Sequence, residues 1–515
     1  MYSPRTSHFT PHTSQYTLRG RILVRILRIL YWFVALFNGE KWKKPPLDFE
    51  ENPAFYTFKD VLFLGYKYYF RPPDEFSEEI ISHFKNQKLD FSPPNNFIPQ
   101  TQITISAGGD LMPYEWIQKK YTKHLWDEIG TFFFDNDIVF ANLETPIDLA
   151  SAPSYVPEVM LNDMLFNADE EMFDIFNGIT TPSPSFKGGE LIATSPSSFK
   201  GGEFIAPLLP KEGLGVVKPP FKGFDVLSTA NNHSLDMGEN GVLATIQFLE
   251  SKKIKHTGTS KDKENKQNFP ILERKGIKIA FIAYTYSMNK FEDIKDKEYL
   301  VNHIRLNHAQ CTEIDILPII EDIALAYSRG ADLVVLSLHT GNAYQALPSA
   351  HTINIYHQIF EKTGVDIILG SHPHNPQPME QYNFLCPIKK INKKGFCIYS
   401  LADFVAYDIF VLDRLIPLLK LTVQKGTITT TKEGISQTIM HTQLTNVLLK
   451  PIYNWGTKNV KKDTNVAGRE MRFLDLKQTL QLVQNNQKPA FMTDKCVQEL
   501  YLLNDFYEKY LHFRP

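Results

Sequence analysis

The sequence predicts an α/β protein built on a covered, largely parallel sheet. Between residues 102 and 370, short apolar strands alternate with helix-compatible stretches. Apart from the alternating Ile103–Ala107, the strands are continuous apolar runs, as expected where both faces of a sheet are covered. They also end in polar, ligand-capable residues, at the edge where open α/β sheets place their chemistry.

Composition bounds the reading without deciding it. The chain has 515 residues, 43% apolar and 22% charged, enough for a large core and more than one domain. Its formal net charge of −2 excludes a global preference for nucleic acid, so any affinity for an anion must come from a local site. Cys311, Cys386, Cys397 and Cys496 form no C-x-x-C pair, which argues against a thiolate zinc site and a dense disulfide framework. Cys386 and Cys397 could face each other across a hairpin, although unpaired core thiols are the first expectation.

Four regions follow in order. Residues 1–44 read as a flexible leader and a basic helix. In that helix, Arg21, Arg25 and Arg28 recur at helical spacing before an apolar run from Ile29 to Phe37. The run falls short of the roughly 20 residues of a spanning helix. No small-residue cleavage site follows, so a signal peptide is disfavoured. The helix either lies in a membrane interface or packs on the protein itself. Residues 45–101, rich in aromatics and proline, read as an irregular extension wrapping the main domain. The main domain spans 102–410, and residues 411–515 supply closing antiparallel strands and C-terminal helices.

Within the main domain, Ile103–Ala107 is a strand ending at Asp110, and a helix is expected over 113–129, with proline early in it. Asp137–Ala141 is a second strand, ending in Asn142-Leu143-Glu144. A helix at about 169–176 precedes an intrusion at 178–223, where SFKGGE occurs twice amid Pro, Gly, Ser and Thr. That segment reads as an inserted, disordered surface loop. The stretch FDVLSTANNHSLDMG at 224–238 is a buried strand that runs out into Asn231, Asn232, His233 and Asp236, with a helix over 239–251. Strands at 277–284, 331–337 and 365–369 alternate with helices at 313–328 and 350–362. The last two strands lead to His339 and to Gly370-Ser-His372-Pro-His374. Further strands fall at about 395–401, 415–423 and 438–444, and helices at 474–485 and 495–511.

Five strand ends therefore carry Asp110, Glu144, Asn232 with His233, His339, and His372 with His374. Each alone has a structural explanation: a turn, a helix-capping carboxylate, a satisfied core histidine, a polar loop. A metal site explains all five together. Carboxylates and neutral imidazoles suit Mn²⁺, Fe²⁺ and Zn²⁺. A two-metal cluster, its ions roughly 3.5–4 Å apart, serves displacement at phosphorus.

The ordered set GGDLM, NLE, ANNHSLDMG, the His339 strand end, GSHPH and YSLADF resembles the poly-γ-glutamate capsule biosynthesis (CapA-type) family. That family is similar to the calcineurin-like metallophosphoesterases, so the resemblance implies a four-layer αββα sandwich over about residues 102–405. It also implies two divalent metal ions (Mn, Fe or Zn). By position, Asp110 binds the first metal, Glu144 bridges both, Asn232, His339 and His372 hold the second, and His374 completes the first. His233 protonates a leaving group or steadies developing charge. Asp236 either orients His233 or caps the helix that follows, with the cap preferred. Four departures stand out: Met112 where metallophosphoesterases carry His, Glu144 in place of the usual Asp, HTGNAY at 339–344, and Ala402-Asp403 where the family has Gly-Asn.

Two functions follow. One is a metal-dependent hydrolase of the metallophosphatase-like class, acting in capsule or cell-surface polymer metabolism on a phosphoester or anionic polymer. The other is a non-catalytic polymer-handling or assembly protein that keeps the fold with a degraded or single-metal site. No nucleic-acid partner is expected, because the only basic stretch, 19–44, flanks an apolar face suited to a membrane surface. The expected location is therefore peripheral to a membrane or cytoplasmic.

Overall fold

Continuous apolar strands with no polar face need cover on both sides, and two stacked sheets with outer helices provide it. In the computed structural model of the protein, residues 18–38, 57–70, 76–156, 164–179, 221–290, 294–306, 315–408, 410–432, 435–457 and 470–511 are described. Most of the intrusion, and Cys311, lie outside them.

The chain opens with helices α1 (Leu18–Asn38), α2 (Phe58–Phe70) and α3 (Glu78–Lys85). Then come β1 (Phe97–Leu111), α4 (Gly130–Phe134), β2 (Ile138–Leu143), α5 (Glu170–Phe176), β3 (Val226–Ser228), α6 (Gly238–Ser251) and β4 (Lys255–Thr257). The second half begins with β5 (Ile271–Arg274), β6 (Ile277–Thr285), α7 (Leu317–Ser328), β7 (Leu333–His339), α8 (Ala350–Thr363) and β8 (Ile367–Ser371). It continues through β9 (Pro376–Leu385), β10 (Asn392–Leu401), β11 (Leu415–Lys432), β12 (Ile435–Thr457), β13 (Glu470–Asp475), α9 (Leu476–Gln484) and α10 (Asp494–Tyr510).

One sheet has seven strands in the order β13-β12-β11-β1-β2-β3-β4, the other six in the order β5-β6-β7-β8-β10-β9. Their centres are parallel: β1 through β4 in the first, β6, β7, β8 and β10 in the second. Antiparallel strands extend both, with β11, β12 and β13 added beyond β1, and β5 and β9 at the rims of the second sheet.

Three apolar layers show how the sheets stack. Ile103, Ile105 and Phe140 of the first sheet pack against Ile279, Phe281, Val335 and Ile398 of the second. The outer face of the first sheet, through Val139, Ala141 and Leu227, meets Phe133, Phe134, Phe173 and Phe248. That of the second, through Ile282, Leu336 and Tyr399, meets Ile319, Ile323 and Tyr356 from α7 and α8. The architecture is a four-layer αββα sandwich. At one end the sheets are stitched together: Asp110 N–H donates to the Ala402 carbonyl at 2.9 Å, and Phe404 N–H to that of Asp110 at 2.8 Å. A Cβ on Gly109 would lie 1.8 Å from that Ala402 oxygen, so only glycine allows the approach.

Two expectations need correction, and the expectation of unpaired core thiols is met. Residues 113–129 form no helix but a chain of turns ahead of the short α4. Pro113 and Glu115 bond instead to Val156, at 2.7 and 3.0 Å, and Trp116 stacks on Tyr407 at 4.4 Å. Those tertiary partners outcompete local helical bonding. The N-terminal extension is not irregular throughout: it holds α2 and α3, and Phe84 and Phe91 anchor it in two of the cores. Cys386 and Cys397 are both buried and free; Cys397 pairs across the hairpin with Glu380.

Asp366, buried just before β8, accepts from Val334 N–H at 2.8 Å and from the Tyr327 hydroxyl at 2.7 Å, and pairs with Lys393. Burial pushes its carboxyl up, but the lysine charges and hydrogen bonds outweigh this and hold it below the usual range. A folded-state pKa below the unfolded one means stability that is fully present above about pH 4 and lost as pH falls through the folded value. Asp366→Asn should cost about 3–5 kcal/mol at pH 7. It should also flatten the acid limb of a urea-derived stability profile, and parallel wild-type and variant profiles would contradict the assignment.

Candidate metal centre

The strand ends that stitch the sheets also gather the polar residues. Asp110 closes β1, and its two carboxylate oxygens accept from Asn142 Nδ2 at 2.8 Å and from His372 N–H at 3.2 Å. Glu144 lies just past β2. His339 ends β7, with Nδ1 2.9 Å from Ser371 Oγ and Nε2 2.8 Å from Asn232 Oδ1. That same Nε2 is 3.5 Å from Glu144 Oε1. The loop after β8 carries His372 and His374, both in the left-handed backbone region at φ 98 and 59, strain of the kind found at functional sites.

Two donor groups result: Glu144 with His339 and His372, and Asp110 with His374 and Asp403. In each, one ligand atom per residue lies within 4.8 Å of the others, and all six residues are buried. The rings of His339 and His372 are 4.9 Å apart, those of His372 and His374 6.1 Å. The six sequence-predicted positions Asp110, Glu144, Asn232, His339, His372 and His374 thus occupy one neighbourhood.

Whether this neighbourhood suits cations is tested by Glu144. It is fully buried, and neither carboxylate oxygen has a hydrogen-bond partner among the described residues. Burial first, then the charge of Asp110, pushes its carboxyl well above the usual range. Such a group is costly unless a cation neutralises it. His339 is set up as a neutral ligand. Burial, reinforced by neighbouring histidines, pushes His339 well below its ordinary value. Tyr286 gives its hydroxyl proton to the Gly341 carbonyl at 2.6 Å. His372 Nε2, 3.1 Å from that hydroxyl, is then the donor, and its Nδ1 carries the lone pair. The donor set fits divalent cations.

His233 stands apart from both groups. Its Nδ1 donates to Asp236 Oδ2 at 2.6 Å, and its ring stacks on Phe166 at 3.8 Å. Asp236 does not cap the helix, contrary to the preferred expectation. Helix α6 begins after Met237 without a side-chain cap, and Asp236 instead holds His233 and accepts from Phe166 N–H at 2.6 Å.

Sequence reasoning left Asp403, Asn142, Ser371 and Tyr286 out of the site. Asp403 was visible as a departure from the family pattern, yet nothing in the sequence showed its carboxylate 2.8 Å from His374 Nδ1. Met112 has no place among the ligands: it is 4% exposed and packs in the core of the first outer layer.

Residues 220–408 match the family described as "Bacterial capsule synthesis protein PGA_cap". Over these residues the chain is similar to CapA-type capsule biosynthesis proteins. The matched span includes the second half of the site, from Asn232 to Asp403, and leaves Asp110 and Glu144 outside it. Two CapA relatives are similar: "Capsule biosynthesis protein CapA" of Bacillus anthracis, 27% identical over 36% of this chain and 40% of its own length, and "PGA biosynthesis protein CapA" of Bacillus subtilis (strain 168), 26% identical over 34% and 42%. The match spans about two fifths of each of these CapA proteins. A solved structure, the calcineurin-like phosphoesterase YfkN from Bacillus subtilis, aligns at 13% identity and a TM-score of 0.31, covering 79% of this chain and 100% of that one. At that level it carries no weight for this chain, whose fold follows from its own sheet order and core layers.

Proposed function

We propose that this chain is a metal-dependent phosphoesterase acting in the metabolism of an anionic capsule or cell-surface polymer. The observation that carries the reading is Glu144, a buried carboxylate whose oxygens have no hydrogen-bond partner among the described residues and which belongs to one of two neighbouring donor groups. Asp110, His374 and Asp403 would hold one divalent ion, His339, His372 and Asn232 the other, and Glu144 would bridge them. Asp403, an asparagine in the family pattern, would then supply the first position with a charge that Met112 cannot. When bound, such ions supply Lewis acidity toward a phosphoryl group.

The chain's own residues handle the proton. Hydrolysis breaks a P–O bond, places a water-derived hydroxyl on phosphorus and requires a proton on the leaving oxygen. His233 would give that proton from Nε2, with its Nδ1–H held by Asp236 at 2.6 Å. Phe166 fixes the ring plane. The test is turnover of a generic phosphomonoester and phosphodiester by the full chain with Mn²⁺. Metal-dependent release of the leaving group is expected. No turnover with Mn²⁺, Fe²⁺ or Zn²⁺ at full occupancy would favour the non-catalytic assembly reading.

The exposed face of α1 supports membrane-surface attachment as part of the same reading. No described helix is long and apolar enough to cross a membrane. Val24 and Tyr31 pack inward with Tyr68 and Phe410, while Ile22, Ile26, Ile29, Phe33 and Phe37 form one outward stripe at a spacing of three and four. Ile29 is 69% and Phe37 73% exposed, and the exposed Arg19 and Arg25 suit anionic headgroups. Tyr68 in turn contacts Tyr344, whose ring stacks on His374 at 5.4 Å, so the inward side of α1 packs on residues that reach the site. In flotation with vesicles containing phosphatidylglycerol, Ile26→Asp with Phe33→Asp should lower the bound fraction about tenfold or more. Unchanged flotation would contradict the attachment.

A further inference from the structure

On the outer side of the second sheet lies another group of ligand-type residues that the phosphoesterase reading does not use. His83 lies on α3, His357 on α8 and Glu380 on β9. Both imidazole Nε2 atoms converge on one carboxylate: His83 at 3.2 Å from Glu380 Oε2, His357 at 2.9 Å from Oε1. Glu380 is 1% exposed, whereas the side chains of His83 and His357 are 29% and 21% exposed, leaving a path from solvent.

An ion pair accounts for both histidine contacts with Glu380 and leaves the Gln87 contact with His83 unexplained. Gln87 Nε2 lies 3.3 Å from Glu380 Oε1 and 3.4 Å from His83 Nε2. If His83 Nε2 donates to Glu380, two donors face each other at Gln87. If it accepts from Gln87, a lone pair faces the carboxylate instead. Amide oxygen and nitrogen exchange by a half-turn, and the turned amide presents an oxygen to the same point. Two imidazole nitrogens, one carboxylate and one amide oxygen then converge, and a cation among them removes the conflict. The supporting contacts are of the kind metal sites use: Tyr399 donates to Glu380 Oε2 at 2.6 Å, and His357 stacks on Tyr382 at 3.8 Å.

We infer that His83, His357 and Glu380, with Gln87, form a second, separate site for a divalent cation of the Zn²⁺ class, which fastens α3 of the N-terminal extension to the sandwich. The nitrogen-rich donor set selects Zn²⁺ over Mg²⁺ or Ca²⁺, and four donors suit its tetrahedral preference.

The test uses the full chain, stripped with chelator and dialysed against micromolar Zn²⁺. His83→Ala and, separately, His357→Gln should each bind one equivalent of zinc less than wild type. That difference is read independently of whether the Glu144 centre fills, so failure here and failure of the phosphoesterase reading are distinguishable. Amide exchange in residues 78–85 of the wild-type protein should slow about tenfold or more on adding Zn²⁺, as binding to the folded state requires. This readout needs no variant. Equal zinc content in all three proteins, or exchange in α3 that ignores Zn²⁺, would reduce the cluster to a hydrogen-bonded pair and overturn the inference.

Discussion

Glu144→Gln should stabilise the metal-free protein while abolishing the stabilisation that Mn²⁺ gives at this centre. In the wild type, burial and the neighbouring Asp110 charge both oppose an ionised Glu144, and neither oxygen has a hydrogen-bond partner among the described residues. An amide of the same shape removes the charge and brings two N–H donors toward Asp110, His339 and Asn232. The gain expected in chelator is about 1–3 kcal/mol, the scale of a buried unsatisfied polar group. The cost falls on function: without a bridging carboxylate the two donor groups no longer share an anion. The melting-point rise that Mn²⁺ gives the wild type should disappear, and phosphoester turnover should fall by about three orders of magnitude or more. Sites tuned for chemistry at the expense of stability behave this way. Thermal melts of both proteins in chelator and in Mn²⁺ check it. A variant that is less stable than wild type yet still responds to metal would place Glu144 outside the centre.

His233→Ala should separate proton transfer from metal binding. The residue contacts Asp236 and Phe166 and belongs to neither donor group. Metal content should therefore be unchanged while turnover drops about 10²–10⁴-fold, the usual range for a lost general acid. The drop should be smallest on substrates with good leaving groups, which need no proton. Elemental analysis and initial rates on nitrophenyl and alkyl phosphoesters supply both readouts. Loss of metal with activity would make His233 a ligand instead.

The parts of the fold legible in the sequence are those where local pattern and tertiary environment agree. The parallel strands were visible because buried strands are continuous apolar runs, and their polar ends stood out against them. Helices α6 and α8 carry apolar faces at helical spacing, and their observed limits fall within a residue of the expected ones. Residues 113–129 were misread because Tyr114, Trp116 and Trp126 bury themselves individually against distant partners, which no periodicity announces. The edge strands β9 and β13 escaped notice for a related reason, since pairing with β10 and β12 defines them more than their own residues do.

At the centre, the residue types were legible and their relations were not. Asp403 sits in a tight turn after β10, with Ala402 at a positive φ of 56, and only that turn brings its carboxylate to His374. Asn142 and Ser371 belong to motifs already noticed, but their role is to orient Asp110 and His339, a contact invisible in one dimension. The same holds for α1. Its sequence suited both a membrane surface and packing on the protein; in the structure Val24 and Tyr31 face the protein and Ile29 and Phe37 face away.

Crystals of the full chain soaked in Mn²⁺ and phosphate, with data collected at the manganese edge, test the centre most directly. Two anomalous peaks should flank Glu144, one among Asp110, His374 and Asp403 and one among His339, His372 and Asn232, with phosphate within reach of His233. Manganese absent from the Glu144 neighbourhood at saturating concentration would contradict the metal centre and the hydrolase built on it.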